Sequence, residues 1–272
     1  MAYLHELEKE FILENYLLFG PKVVSKKLNR TENTVIRYAQ SQNLKLDRSE
    51  KLNEEDCPNF KYDLIFNNLF SNITNELAYW LGFFWADGTI NCGSGLVIEI
   101  TKEDGEQLKD LFCSIFPFTI NYRERKGRKP QMSFRATDSN VSELLNSLGK
   151  YPKSGENHEK IFNYLKTEEL QLFFLRGLID GDGNFYLNEK DKYGQFTLAS
   201  NINQDWTYLQ NYLKEFNPHI NTSEKKSGKS SVLRITGKDN ITKFIKFLKY
   251  DSIQIGLSRK IEKALSILKL YE

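Results

Sequence analysis

Leu81-Gly82-Phe83-Phe84-Trp85-Ala86-Asp87-Gly88 and Leu175-Arg176-Gly177-Leu178-Ile179-Asp180-Gly181-Asp182-Gly183 are two versions of one stretch, an apolar helix running straight into an acid and a glycine. Small residues recur four apart in both, Gly82 with Ala86 and Gly177 with Gly181. Residues four apart share a helix face, and two bare faces let helix backbones approach closely. Packed on each other, the helices deliver Asp87 and Asp182 side by side at a shared C-terminal end. There the carboxylates repel each other and meet the partial negative charge of both helix ends. That is a poor arrangement for stability and a good one for holding divalent cations.

The same order of elements follows each copy. After the first, strands over 89–91 and 96–101 flank a turn at Cys92-Gly93-Ser94-Gly95. The pattern then predicts a helix over 106–116, a hairpin of 119–125 with 131–137, and a helix over 141–148 stopped by Gly149. After the second it predicts strands 184–188 and 195–200, a helix over 206–216, a hairpin of 220–226 with 231–237, and helices over 241–248 and 258–270. Asp87 to Asp182, Phe116 to Phe216 and Arg135 to Arg234 are all separated by about a hundred residues. The chain is an internal duplication with two pseudo-twofold halves.

These residues resemble the LAGLIDADG homing endonuclease family in its single-chain, two-motif form. Aligned on the nine-residue name, the copies are 80–88 and 175–183, and the family's metal-binding acid, at the eighth position, falls on Asp87 and Asp182. The sixth position, not a metal ligand in the family, is Trp85 in one copy and Asp180 in the other. Asn75-Glu76-Leu77-Ala78-Tyr79 is similar to the family's usual approach to the motif. The resemblance covers about 71–272 and implies an α+β fold, a duplicated αββαββα unit whose two saddle-shaped antiparallel sheets lie along the DNA major groove. It implies a monomeric, site-specific double-strand endonuclease of intron-homing type with a long recognition site. Mg²⁺ or another divalent ion would be held by Asp87 and Asp182 with the backbone carbonyls of Ala86 and Gly181. By position, Lys102, Asn201, Lys153 and Lys260 are the candidates to order the attacking water; Lys102 stands where the family often has Gln. The rival from another class is a non-cleaving DNA-binding regulator or RNA splicing cofactor (maturase) with this fold. The presence of both acids favours cleavage.

Strand alternation supplies the DNA-facing candidates. Met132, Phe134 and Ala136 oppose Gln131, Ser133, Arg135 and Thr137, and Leu233 and Ile235 oppose Arg234 and Thr236. Each strand thus has an apolar face for helices and a polar, often basic face outward. The outward set is Asn91, Glu99, Asn121, Arg123, Arg125, Gln131, Ser133, Arg135 and Thr137, then Asn184, Tyr186, Asn188, Gln195, Thr197, Asn221, Ser223, Lys225, Arg234 and Thr236. Such residues read base edges or hold phosphates. A merely solvated face explains the alternation equally well, but would more commonly mix Lys with Glu.

Residues 1–48 read as a small helix-turn-helix-like unit. Gly20-Pro21 breaks the first helix, Pro21 opens a second, and Thr31 caps a third. In that reading Thr31, Asn33, Thr34 and Arg37 face the major groove, and Lys26, Lys27 and Arg30 meet phosphates. A helical cap on the main domain is the plainer alternative. Residues 49–72 are a linker and docking segment with an apolar run over 62–70, 73–165 the first half and 166–272 the second.

Composition sets the outer bounds. At 272 residues, 40% hydrophobic and 13% aromatic, the chain suits a soluble globular protein. A net charge of +2 does not by itself point to nucleic acid. No apolar stretch suffices to span a bilayer, and the first residues do not read as a signal peptide. Cys57, Cys92 and Cys113 read as free thiols of a reducing compartment, and His5, His158 and His219 as surface residues rather than a zinc site. No organic cofactor is implied. The expected location is the cytoplasm of a bacterial or phage-infected cell, or an organelle. Asp180-Gly181-Asp182-Gly183-Asn184 starts like a calcium loop, but Phe185 and Asp191 stand where an EF-hand needs Gly and Glu.

Overall fold

The computed structural model describes residues 4, 6–46, 51–60, 69–91, 95–124, 126–127, 129–150, 157–225, 228–253 and 255–271. The N-terminal unit comprises α1 (Glu6–Lys27) and α2 (Glu32–Ser41). At Gly20 a φ of 79° breaks α1 and lets Pro21 begin its second segment, as the sequence predicts. Thr31 caps α2, its side chain accepting from Thr34 N. Phe11, Ile12, Tyr16, Val24, Val35 and Ala39 form a small core separate from the main one.

The first half follows as α3 (Asn75–Asp87), β1 (Gly88–Asn91), β2 (Gly95–Thr101), α4 (Lys102–Ile115), β3 (Thr119–Arg123), β4 (Gln131–Thr137) and α5 (Ser139–Ser147). A short α6 (Glu159–Tyr164), not anticipated from the sequence, leads to the second half. That half is α7 (Glu168–Asp182), β5 (Gly183–Asn188), β6 (Tyr193–Asn201), α8 (Thr207–Tyr212), β7 (His219–Lys225), β8 (Gly228–Thr236), α9 (Lys238–Phe247) and α10 (Ser258–Tyr271). The sheets are four-stranded and antiparallel, ordered β1-β2-β4-β3 and β5-β6-β8-β7. This is the duplicated α+β architecture, and the register repeats: Val97 pairs with Arg135 as Thr197 pairs with Arg234.

Two helices differ from expectation. α4 starts earlier, at Lys102, because the Thr101 side chain caps Asp104 N. The helix expected over 206–216 ends at Tyr212 and tightens into a 3₁₀ turn before Asn217, whose φ is 49°. Of the docking segment, 61–68 lie outside the described residues, while Leu69 and Phe70 pack against the main core. Cys57 and Cys113 are free and buried. Among the described residues no helix is long and apolar enough to cross a membrane.

Arg30 fastens the N-terminal unit to the first half. Its guanidinium donates to Glu8 (2.8 and 3.1 Å), to Pro117 O (2.8 Å) and to Thr119 Oγ1 (3.3 Å). Expected at a DNA phosphate, Arg30 is instead spent inside the protein, its side chain 7% exposed and that of Glu8 0%. Removing one partner of a buried pair costs about 3–5 kcal/mol because the other charge is stranded. Arg30→Met is therefore expected to loosen the N-terminal unit, read as faster proteolysis within 1–60 while the main core melts nearly unchanged.

Candidate active site at the motif helix ends

The site is built on the contact between α3 and α7. A Cβ on Gly82 would sit 1.9 Å from Phe174 O, and one on Gly177 would sit 2.0 Å from Tyr79 O. The backbones therefore touch where only glycine fits. Nearer the ends, a Cβ on Gly181 would meet Ala86 Cβ at 2.2 Å and Asp87 Oδ2 at 3.4 Å. The Asp87 carboxylate thus lies against the residue that precedes Asp182. Asp87 is half-buried and Asp182 exposed. Each helix turns into a strand at the next residue, Gly88 or Gly183, where a Cβ would fall within 2.6 Å of Phe84 O or Ile179 O.

Buried lysines donate to the carbonyls at these helix ends. Lys260 Nζ donates to Ile179 O (2.8 Å), Asp180 O (2.5 Å), Gly181 O (3.3 Å) and Gly183 O (2.8 Å). Lys150 Nζ donates to Trp85 O at 2.9 Å. Trp85 and Asp180 both occupy the sixth motif position, so Lys150 and Lys260 do equivalent work at the two ends. A cation there also opposes the helix dipole. Burial pulls the Lys260 ammonium down to about 8, with Asp180 and Asp87 acting to raise it. Lys260, expected to order water, is engaged on the motif backbone. Its partner in the first half is Lys150, which sequence reasoning missed in favour of Lys153, a residue outside the described set.

The sixth positions differ in chemistry. Asp180 is buried, accepting from Tyr79 OH at 2.7 Å and Leu257 N at 2.8 Å, and burial raises its pKa. Arg176, one turn earlier, is fully buried. It donates to Leu248 O (2.8 Å), Ile253 O (3.0 Å) and Ile255 O, and its guanidinium lies 4.5 Å from the Tyr250 ring centre. These contacts hold Leu248, Ile253 and Ile255 against α7. In the first half, Trp85 packs instead on Phe174 (5.9 Å) and His158 (6.0 Å).

His158 is a correction: it is 4% exposed, not a surface residue. Burial lowers its pKa from 6.5 to about 4, partly opposed by Asp205. Between these values the unfolded chain binds the proton and the folded chain does not, so stability falls as pH drops from 6.5 to 4. The loss should reach about 3 kcal/mol at the acid end. Denaturant titrations at pH 7 and 4.5 should show this slope in the parent and a smaller one in His158→Phe.

The other candidates scatter. Lys102 opens α4, its Nζ 5.6 Å from the Tyr122 ring centre. Asn201 ends β6, its Oδ1 accepting from Asn203 N at 2.8 Å. Strand register matches Asn201 to Thr101 rather than Lys102, since Thr101 pairs with Gln131 as Asn201 pairs with Ser230.

On the outward sheet faces the register aligns Thr89, Val97, Arg135 and Thr119 in one row, and Asn184, Thr197, Arg234 and His219 in its counterpart. Thr89, Val97, Thr119 and His219 are not among the residues expected from the sequence; Thr89, Thr119 and His219 are first or second in their strands. Asn91, Asn121, Arg123, Arg135 and Thr137 are exposed, as are Asn184, Tyr186 and Asn221. Gln131, Asn188, Gln195, Thr197, Ser223, Arg234 and Thr236 are half-buried. Ser133 departs from expectation: it is buried at 8% between Glu99 and Asn121. Glu99 lies 3.7 Å from Arg135. Arg125 and the Lys225 side chain lie outside the described residues. In the N-terminal unit Thr31, Asn33, Thr34 and Arg37 line one groove with Lys109 and Asp110 of α4. Lys26 pairs with Glu54, and Lys27 donates to Asn59 at 2.8 Å.

Among the described residues no group of three or more His, Cys, Asp or Glu side chains could hold a metal ion. Two carboxylates flanked by helix-end carbonyls are hard oxygen donors. They fit Mg²⁺, which keeps several waters and takes one or two carboxylates together with substrate phosphates.

A LAGLIDADG-like domain model matches residues 169–249, and a WhiA LAGLIDADG-like domain model matches 76–166. No curated protein matches the chain. Among solved structures, the chain is similar to I-SmaMI bound to uncleaved DNA with calcium ions (15% identity, 74% of this chain and 91% of that one, TM-score 0.47). It is also similar to the LAGLIDADG meganuclease I-AabMI bound to uncleaved DNA (14%, 73% and 91%, TM-score 0.48). A third is the I-LtrWI LAGLIDADG homing endonuclease bound to target DNA (15%, 74% and 90%, TM-score 0.48).

Proposed function

Because this chain belongs to the LAGLIDADG family, in the form with two motif copies on one polypeptide, we propose that it is a site-specific DNA endonuclease of homing type, hydrolysing one phosphodiester in each strand. The observation that carries this reading is the placing of Asp87 against Gly181, the neighbour of Asp182, by a helix contact that tolerates only glycine. Asp87 and Asp182, with the carbonyls of Ala86 and Gly181, are the residues that would hold Mg²⁺ or another divalent ion. Once bound, such an ion lowers the pKa of a coordinated water and offsets charge on the scissile phosphate. The long 3.3 Å contact from Lys260 leaves Gly181 O with acceptor capacity to spare.

The remaining work belongs to the chain's own residues. Lys150 and Lys260 keep the motif ends wound, so both carboxylates start from fixed backbones. Arg135 and Arg234, at equivalent points of the two sheets, are suited to phosphate or guanine contact. A single chain with two such sheets suits a monomer on a long site, and the N-terminal unit is proposed to add contacts through Thr31, Asn33, Thr34 and Arg37.

Cleavage of a randomised target library tests the reading. We expect one preferred site cut with Mg²⁺ and left intact with EDTA. Tight binding to a selected site without cutting would favour the non-cleaving regulator instead.

A further inference from the structure

We propose that the small cavity walled by His158, Trp85, Trp206 and Asp182 is a built water site, and that His158 positions its water for cleavage of one of the two DNA strands. The catalytic half of this rests on the endonuclease reading; the water site does not.

The cavity measures about 30 Å³, with Lys150, Ser200 and Gln204 also in its wall. That is room for about one water, provided the water finds two to four polar partners. His158 lines this cavity, and its Nδ1 is buried with no hydrogen-bond partner. Buried polar atoms are rarely left so, and an ordered water is the usual remedy. The rings on either side hold the imidazole still, Trp85 at 6.0 Å and Trp206 at 6.5 Å. Trp206 is itself pinned, its Nε1 donating to Ser231 Oγ at 2.9 Å. Gln204 is oriented by Ser200, whose Oγ donates to its Oε1 at 3.2 Å. The imidazole is neutral at neutral pH, so its unpartnered nitrogen can accept from water, and the exposed Asp182 carboxylate shares the same wall.

Among the described residues the first half is built differently. Three residues beyond the paired strand ends Thr101 and Asn201 stand Asp104 and Gln204, and Arg259 donates to the Asp104 carboxylate at 2.8 and 2.9 Å. One flank of the site is a polar cavity; the other carries an ion pair. The two strands therefore meet unlike surroundings, and His158 should serve only one.

Two measurements test this. High-resolution diffraction from crystals free of DNA and metal should show a water within about 3.2 Å of His158 Nδ1. On supercoiled plasmid bearing the selected site, His158→Phe should accumulate nicked circles, the second cut slowing at least about tenfold. His158→Asn should restore linear product. If His158→Phe does not fold, Gln204→Met should show the same nicking. An empty cavity overturns the water site. Equal cutting of both strands by His158→Phe, or by Gln204→Met where that stands in, overturns the positioning role. A parent chain that cuts nothing but holds the water sinks the endonuclease reading and the catalytic role, and leaves the water site standing.

Discussion

Gly82→Ala should lower the melting temperature by about 10 °C or more, and Gly177→Ala should do the same. The added methyl at Gly82 arrives 1.9 Å from Phe174 O and 2.8 Å from Leu178 N; at Gly177 it arrives 2.0 Å from Tyr79 O. All three are backbone atoms, so no rotamer change gives relief and the helices must part. Overpacking in a core typically costs about 1–3 kcal/mol through side chains that shift. Two backbones that cannot shift alone should exceed about 3 kcal/mol, and each kcal/mol is worth about 2–4 °C in a chain of this size. Gly127 makes a useful control. Its φ is +77° and nothing lies within 4 Å of an added Cβ, so Gly127→Ala should cost about 1–2 kcal/mol from backbone strain alone. Melting followed by circular dichroism decides the matter. A Gly82→Ala protein as stable as Gly127→Ala would show that the motif helices do not meet backbone to backbone.

The second large effect is on chemistry. Asp87→Asn combined with Asp182→Asn should reduce cleavage by about 10³-fold or more, because aligned charges at the reacting phosphate are the largest lever such a site has. Binding should survive or tighten, since both carboxylates repel DNA phosphates. Stability should hold or rise, as two anions leave the negative ends of α3 and α7. Gel shift in Ca²⁺ beside cleavage in Mg²⁺ separates these outcomes. A double variant that still cuts would remove the two aspartates from the mechanism.

These two predictions rest on features the sequence shows openly. The small residues at Gly82, Ala86, Gly177 and Gly181 sit at helical spacing, and the acids recur in register with a repeat that spans both halves. The sheet faces were also legible, because side-chain alternation is a local property of a strand. Ser133 was misread because burial on that face depends on neighbours across the sheet, Glu99 and Asn121, which the β4 sequence does not contain. Lys150 was missed for a similar reason. It follows Gly149, whose φ of 96° turns the chain after α5, and nothing in Gly149-Lys150-Tyr151 announces a carbonyl 65 positions earlier.

Duplication, the glycine-faced helices and the paired acids were determined by the amino-acid sequence alone, because periodicity and repetition are written along the chain. The tertiary structure decided which charges remain for a ligand. Arg30 reaches Pro117, Arg176 reaches Ile253, and Lys260 reaches the carbonyls of α7; His158 is shut between Trp85 and Trp206. Each of these joins residues far apart in sequence, and burial then leaves the polar group no alternative to a protein partner. A basic or imidazole side chain looks the same in the sequence whether it meets solvent or a helix end, and only packing tells them apart.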